Sequence, residues 1–293
     1  MTMNQSVESQ LIKALVTRRR PRILFHYTSG AGLIGILESR SIWATNIRFL
    51  NDSTEYDFAV GLARRVIQER IDKARNKFEV AVASVLQERL TTDPAADVYV
   101  TSFSENADQL SQWRAYSPPT GGYALGFRAK SLLEPALSNP SFFLTPCIYD
   151  SLSQEKLIRK LFDDVLVFAE ESHNAGLTHD RVFREAFKLF GRLIPLAAPA
   201  IKHPSFVEEQ EWRLVRLPAS FDFELPQIRE GRSMLIPYHR HSFPKPENMP
   251  IEEVVVGPTP NPILARDAAE ALLLSRGLTS AIARSSSIPY RVW

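Results

Sequence analysis

The sequence has 293 residues, of which 44% are hydrophobic and 23% are charged. These fractions are typical of globular proteins, and they exclude a collagen, a long coiled coil and a wholly disordered chain. The net charge of +2 is too small to indicate nucleic-acid binding by itself. The single cysteine, Cys147, cannot form an intramolecular disulfide, which favours a reducing environment.

No secretory signal and no membrane span are expected. The first 22 residues lack a continuous apolar core, and their basic residues come last. The longest apolar stretch, residues 193–201, contains Pro195 and Pro199 and is far shorter than the ~20 residues that a membrane span requires. We therefore expect a cytoplasmic protein that does not bind membranes.

Periodicity and turn residues predict alternating helices and strands in the first part of the chain. An amphipathic helix is expected over residues 6–19, and Pro21 follows it. Asn51 and Asp52 are good N-cap residues for a later helix. Further strands are predicted at 22–28, 41–45 and 98–104, and further helices at 31–38, 55–70 and 72–90.

The second part of the chain is predicted to hold a helical insertion between strands. Residues 105–116 are expected to form a polar helix or loop, and residues 130–205 an insertion with helices at 153–171 and 178–196. Strands are predicted at 122–127, 211–216, 233–237 and 251–257, a helix at 266–276 and an edge strand at 285–291. Because no long linker separates domains, we expect a single α+β domain over residues 1–293.

The common metal, nucleotide and hydrolase motifs are missing from the sequence. No HExxH motif and no cysteine pair occur, and His239 and His241 are expected in a proline-rich loop without an acidic third ligand. The sequence also has no GxxxxGK[ST] loop, no GxGxxG fingerprint and no GxSxG elbow. No metal cofactor is therefore expected.

The first of three candidate clusters is His26-Tyr27-Thr28-Ser29. On a strand, His26 and Thr28 point to the same face, so they can share one ligand. The helix predicted near Ala31 would aim its free N–H groups toward the same place. The alternative is a core histidine beside a local turn.

The second cluster is the strand from Tyr99 to Ser104, which includes Ser102, with Trp113 and Tyr116 downstream. Hydroxyl groups at a strand end can bind a sugar or an amide, and nearby aromatic rings can stack on a flat ring. The alternative is an amphipathic edge strand whose aromatic side chains fill the core.

The third cluster holds three carboxylates, Glu208, Glu209 and Glu211, where a loop enters a strand. Once the strand has begun, Glu209, Glu211 and Arg213 share one face, so the arginine could keep one carboxylate ionised. Such an entry is expected to be partly exposed. A solvated acidic turn is the alternative.

In this order, the three clusters resemble the motifs of the ADP-ribosyltransferase superfamily. His26-x-Thr28 followed by Gly35-Ile36-Leu37 is similar to the first motif of the poly-ADP-ribose polymerase type, although Tyr27 stands where those proteins have glycine. The strand 99–104 lies where the second motif falls, and Glu209-Gln210-Glu211 is similar to the third, whose second glutamate is catalytic. The resemblance implies a split, mixed and antiparallel β-sheet of the ADP-ribosyltransferase type with helical insertions.

Over most of its length the sequence also resembles DUF2971, a bacterial domain family of unknown function. The shared segments run from about residue 23 to residue 292. They read FHYTS, IWAT, FLNDSTEY, TSFSE, QWRAY, GYALGF, KHPSFVEEQEWRL, VVVGP and SIPYR.

The superfamily resemblance implies that NAD is the substrate and that Glu211, His26 and Tyr99 are catalytic. Breaking the nicotinamide–ribose bond creates an oxocarbenium-like ribose, and Glu211 would stabilise its charge. His26 would contact the ribose and Thr28 the nicotinamide side. One of three tyrosines, Tyr27, Tyr99 or Tyr116, would stack on the nicotinamide ring.

Ser102, Ser104 and Trp113 would complete the NAD site. The acceptor, a protein or a nucleic acid, would be bound by Glu209, Asn51 and Asp52. Alternatively, Asn51 and Asp52 only cap a helix.

Two other functions stay open at this point. One is a binding module for a nucleotide or a partner that keeps the fold without turnover. The other is a metal-independent nuclease or phosphodiesterase.

Overall fold

The computed structural model describes residues 3–50, 55–91, 98–117, 121–133, 142–216, 224–231, 233–243 and 249–289. The α-helices are α1 Met3–Leu15, α2 Gly30–Ser39, α3 Glu55–Asp72, α4 Lys77–Arg89, α5 Leu110–Tyr116, α6 Ser151–Asn174, α7 His179–Ala197 and α8 Pro262–Ser275. The strands are β1 Ile23–Thr28, β2 Ser41–Asn46, β3 Tyr99–Ser104, β4 Tyr123–Arg128, β5 Phe142–Pro146, β6 Glu211–Arg216, β7 Gln227–Glu230, β8 Leu235–Ser242, β9 Ile251–Val256 and β10 Ile282–Ser285.

The strands form a mixed sheet in which antiparallel pairs dominate. Its main path runs β10-β9-β4-β1-β3-β2-β8-β7, and β6 pairs with β3 and with β5. Only β9 and β10 pair in parallel among the registers that are described. β1 runs antiparallel to β4 along its full length but meets β3 at a single position, Phe25 opposite Ser104. The predicted α+β class with a mixed, largely antiparallel sheet is confirmed.

Most predicted elements are present, and the two strands that were not predicted have weak patterns. β5 has the sequence FFLTP and is buried at every position, so it shows no alternation of polarity. β7 has the mostly polar sequence QIRE and pairs only with β8 among the described strands. α8 begins four residues earlier than predicted because Pro262 fits the first turn of a helix.

Other predicted boundaries are wrong as well. α1 ends at Leu15 rather than at residue 19, because Thr17 turns its hydroxyl back to donate to the carbonyl of Ala14. β8 extends to Ser242, so His239 and His241 are buried strand residues opposite β2 rather than loop residues. The last strand ends at Ser285, whereas it was predicted to begin there, and residues 290–293 lie outside the described residues.

The chain divides into two compact units. The first comprises Met1–Arg18, Asn46–Tyr99 and Thr145–Val207, and it contains α1, α3, α4, α6 and α7. The predicted insertion supplies α6 and α7. α7 buries Val182, Ala186, Leu189, Phe190 and Leu193, a spacing of three and four residues that forms one apolar face. This face explains why the segment folds as a helix against its neighbours in the unit.

The second unit comprises Arg19–Thr45, Val100–Leu144 and Glu208–Trp293, and it holds most of the sheet. In its core, the ring of Phe127 packs edge-on against Phe103 at 5.8 Å and stacks on Phe243 at 6.3 Å. The interpretation of residues 1–293 as one domain stays a prediction. Across the described ranges, no helix is both long and apolar enough to span a bilayer.

Candidate functional site

One cleft in the second unit brings together residues from β1, β3, α5 and the start of β6. Its cavity has a volume of about 50 Å³. Seven predicted site residues line it: His26, Tyr27, Ser102, Ser104, Tyr116, Glu209 and Glu211. The pairing of β3 with both β1 and β6 explains this convergence, because β3 lies between the strands that carry His26 and Glu211.

His26 is a neutral hydrogen-bond acceptor toward the cleft. Its Nδ1 lies 2.9 Å from the carbonyl oxygen of Ser102, which can only accept, so Nδ1 carries the proton and donates. Burial lowers the pKa of His26 below its usual 6.5 and outweighs the opposing effect of this hydrogen bond. At neutral pH the ring is therefore uncharged, and Nε2 keeps a lone pair for a ligand hydroxyl.

Glu211 and Arg213 form a buried, two-pronged ion pair on one face of β6. Arg213 Nε lies 2.8 Å from Oε1 of Glu211, and Nη2 lies 3.0 Å from Oε2. Only 4% of Glu211 and 1% of Arg213 is exposed, so the expectation of a partly exposed Glu211 is wrong. The shared face follows from the two-residue period of a strand, and the neighbouring guanidinium favours the ionised carboxylate.

Between Glu209 and Glu211 the chain makes a strained turn. Gln210 has φ +43°, in the left-handed region that residues other than glycine rarely adopt. Ser104 Oγ donates to the carbonyl of Glu209 at 2.7 Å, and the amide of Glu105 donates to the carbonyl of Gln210 at 3.2 Å. These bonds hold the turn, so that residues 209 and 211 both line the cleft.

A second group of bonds ties the entry of β6 to the loop after β3. Gln109 Nε2 donates to the carbonyl of Glu208 at 2.7 Å, and Trp212 Nε1 donates to Glu105 Oε1 at 2.7 Å. The loop 105–109 is therefore fixed to the entry of β6, the segment that carries Glu209 and Glu211.

The tyrosines that competed for the stacking role have different environments. Tyr27 is buried, donates its hydroxyl to the carbonyl of Asn106 at 2.8 Å and packs edge-on against Trp113 at 4.7 Å. Burial also raises the pKa of Tyr27, so its hydroxyl stays protonated. Tyr116 is 36% exposed and lines the cleft, which leaves its ring accessible to a ligand.

Several predicted site residues do not reach the cleft. Tyr99 is buried at the start of β3, whereas residues 102–104 near the end of that strand line the cleft. Trp113 lies behind the lining, where its Nε1 donates to Asp108 at 2.8 Å. Thr28 packs against Gly32, where a Cβ would overlap the threonine hydroxyl. Asn51 and Asp52 lie outside the described residues.

Sequence reasoning missed Gln112, Phe25 and Phe103, which complete the lining. Gln112 lies on α5 and is 95% buried. As a polar residue next to Trp113 in the QWRAY segment, it could have been predicted as a site residue from the sequence. Within the described parts of the chain, no group of three or more His, Cys, Asp or Glu side chains is arranged to hold a metal ion.

Residues 112–214 match the family model described as "Protein of unknown function (DUF2971)". This match supports the resemblance to that family, and it takes in Tyr116, Glu209 and Glu211 but not β1 or β3. No curated protein and no solved structure matches the chain.

Proposed function

We propose that the protein is an NAD-consuming enzyme of the ADP-ribosyltransferase kind, which either transfers ADP-ribose to an acceptor or hydrolyses NAD. The observation that carries the proposal is the convergence of His26, Ser104 and Glu211 in one cleft. These residues come from the three segments whose order resembles the superfamily motifs. The sheet would accordingly be of the ADP-ribosyltransferase type.

In the proposed reaction the bond between C1′ of the ribose and the nicotinamide nitrogen breaks. Its electron pair leaves with neutral nicotinamide, and the ribose develops oxocarbenium character as in glycoside cleavage. The carboxylate of Glu211 stabilises that positive charge from a fixed, buried position. Water or an acceptor group then bonds to C1′ and releases a proton, and Glu209 positions that nucleophile at the partly exposed edge of the cleft.

The other lining groups suit the two rings next to the breaking bond. His26 Nε2 accepts a hydrogen bond from a ribose hydroxyl, because Nδ1 is already committed to Ser102. Tyr116 offers an accessible ring face on which nicotinamide can stack. The cavity of about 50 Å³ is far below the ≈ 300–1,000 Å³ of pockets that enclose whole ligands, so only the reacting end of NAD would enter it.

A second candidate, a nucleotide-binding module without turnover, is favoured by one observation. Both carboxylate oxygens of Glu211 already accept a hydrogen bond from Arg213. Such a carboxylate is partly neutralised before any substrate binds. A module of this kind would bind NAD, and binding to the folded state alone would raise its melting temperature.

The decisive experiment follows free nicotinamide by chromatography while the protein is incubated with NAD. Glu211→Asp retains the charge beside Arg213 but withdraws the carboxylate by one methylene, so the rate should fall about 10²–10³-fold, as for the loss of one preorganised contact. Glu209→Gln should keep NAD hydrolysis and weaken transfer, since Glu209 does not act on the breaking bond.

Each outcome decides between the candidates. Nicotinamide release at the wild-type rate in Glu211→Asp would contradict the assigned role of Glu211. Equal loss of hydrolysis in both variants would show that the roles of the two glutamates are wrongly divided. If NAD raises the melting temperature of the wild type but releases no nicotinamide, the binding module is the correct function.

A further inference from the structure

A second cavity of the same unit, here called the glycine cavity, shares no lining residue with the cleft. Its volume is about 230 Å³, more than four times that of the cleft. Its lining consists of Gly30, Gly121, Gly122, Tyr123, Val256, Gly257, Thr259 and Ala265. These residues come from the start of α2, the chain before β4, the end of β9 and the first turn of α8.

The missing side chains of the glycines open this cavity. A Cβ on Gly30 would lie 3.5 Å from the Tyr123 ring, and a Cβ on Gly121 would lie 3.7 Å from Thr259 Cβ, so both would project into ordinary contact with other lining residues. Gly121 also has φ +117°, a conformation that favours glycine. Backbone, rather than side chains, therefore forms much of the wall.

Gly122 and Gly257 make the remaining wall rigid. The amide of Gly257 donates to the carbonyl of Gly122 at 2.8 Å. Behind them lie Ser117 and Trp113, so close that a Cβ on either glycine would overlap a side chain. The space next to each of these two glycines is therefore already filled by protein.

The chemistry of the lining selects an uncharged, planar ligand. No lining residue carries a charged side chain, so a charged group would find no ion-pair partner there. Tyr123, Val256 and Ala265 supply apolar surface, and exposed glycine backbone allows a flat ring to approach closely. The Thr259 hydroxyl and the amide of Gly30, which as the first helical residue has no acceptor within α2, supply hydrogen-bond donors.

We propose that the glycine cavity binds a planar, uncharged nitrogen heterocycle of nucleobase or nucleoside size. Its volume lies just below the ≈ 300–1,000 Å³ range of pockets for drug-sized ligands, which suits a single base better than a dinucleotide. Ring nitrogens accept hydrogen bonds from Thr259 and from the backbone, and Tyr123 packs against the ring. This site is separate from the cleft and does not depend on NAD turnover.

The test uses adenosine as the probe and calorimetric titration as the measurement. Ala265→Phe places a ring in the cavity, whereas Ala268→Phe makes the same change on the exposed side of α8. Adenosine should bind the wild type and Ala268→Phe alike and bind Ala265→Phe at least tenfold more weakly. Circular dichroism and melting temperature establish that both variants are folded.

A cleft variant separates this proposal from the proposed function. Glu211→Asp should bind adenosine as the wild type does, because Glu211 lines only the cleft. Absence of adenosine binding to the wild type would overturn the proposal, as would equal affinities of the two alanine variants. Loss of binding in Glu211→Asp would place adenosine in the cleft instead. The release of nicotinamide is not measured, so failure of the NAD proposal leaves this result intact.

Discussion

At the scale of single residues, the ion pair of Glu211 and Arg213 places two opposite charges at the cleft and determines how substitutions there affect stability. The pair is almost fully buried. Removal of one partner leaves the other charge uncompensated in a low dielectric, whereas replacement of both by apolar residues of similar volume is often neutral or stabilising. The pair is thus expected to be needed for function rather than for stability.

This difference gives a prediction for urea unfolding. Glu211→Gln should lose about 3–5 kcal/mol of unfolding free energy, because the guanidinium of Arg213 stays buried after the carboxylate charge of Glu211 is removed. Glu211→Leu combined with Arg213→Met should recover most of that loss of unfolding free energy. A Glu211→Gln protein as stable as the wild type would show that water or another group compensates Arg213.

Residue spacing predicted part of this site correctly. The two-residue period placed Glu211 and Arg213 on one face of a strand, as the structure has them. The period does not distinguish Tyr99, because Ser102, Phe103 and Ser104 all line the cleft and Tyr99 differs from them by lying at the start of β3. Burial of Glu211 was not predictable, because it depends on side chains from β1, β3 and α5, which are distant in sequence.

At the scale of elements, the entry of β6 carries the strain that aims two carboxylates at one cleft. A residue other than glycine in the left-handed region costs about 1–2 kcal/mol, and the bonds from Ser104 and Glu105 hold Gln210 there. Gln210 itself is exposed, so its side chain can be replaced without a change in packing. The backbone conformation, not the glutamine side chain, is what the site requires.

Substitutions at this one position test that statement. Gln210→Gly should unfold within about 0.5 kcal/mol of the wild type, because relief of strain offsets the greater freedom of glycine in the unfolded chain. Gln210→Val should be less stable by about 1–2 kcal/mol, since a β-branched residue tolerates this conformation poorly. Equal stability of the two variants in urea unfolding would mean that the turn relaxes to an ordinary conformation.

Strands and helices with clear periodicity were predictable, and elements defined only by their partners were not. β1, β3 and β6 were predicted to within one residue at each end, and together they carry most of the cleft. β5 and β7 were missed, because one is buried on both faces and the other is a polar strand beside β8. The turn at Gln210 has no glycine, asparagine or aspartate to mark it.

At the scale of the whole molecule, the sequence predicted helices but not how distant segments combine. The insertion supplies α6 and α7, yet these helices form a compact unit with α1, α3 and α4 from earlier in the chain. Periodicity shows which face of a helix is apolar, but it does not identify the segment that covers it. Of the described residues, Trp43, Trp113 and Trp212 fall within the second unit, so their fluorescence reports on the unit that contains the cleft.

Two histidines with lowered pKa values, the buried His241 and the partly buried His26, should make the stability of that unit depend on pH. His241 is 2% exposed, lies against Phe142 and has its Nε2 2.8 Å from the carbonyl of Leu132. Burial lowers its pKa from 6.5 to about 4, and burial lowers the pKa of His26 as well. The unfolded chain therefore binds more protons than the folded chain below pH 6.5, and folding stability falls as the pH falls.

The measurement is urea unfolding, followed by tryptophan fluorescence, at pH values from 7 to 4. For His241 the difference of about 2.5 between its pKa in the unfolded and the folded chain corresponds to about 3 kcal/mol of unfolding free energy. This contribution is lost as the pH falls from 6.5 to 4, and below pH 4 the loss does not increase further. His241→Gln retains an amide donor for Leu132 but cannot titrate. The unfolding free energy of this variant should therefore fall by about 3 kcal/mol less than that of the wild type between pH 6.5 and pH 4. The titration of His26 should still make the stability of the variant depend on pH. His179→Gln, an exposed histidine changed in the same way, should follow the wild type. Parallel curves for the wild type and His241→Gln would contradict the prediction, because they would show that the pKa of His241 is the same in the folded and the unfolded chain.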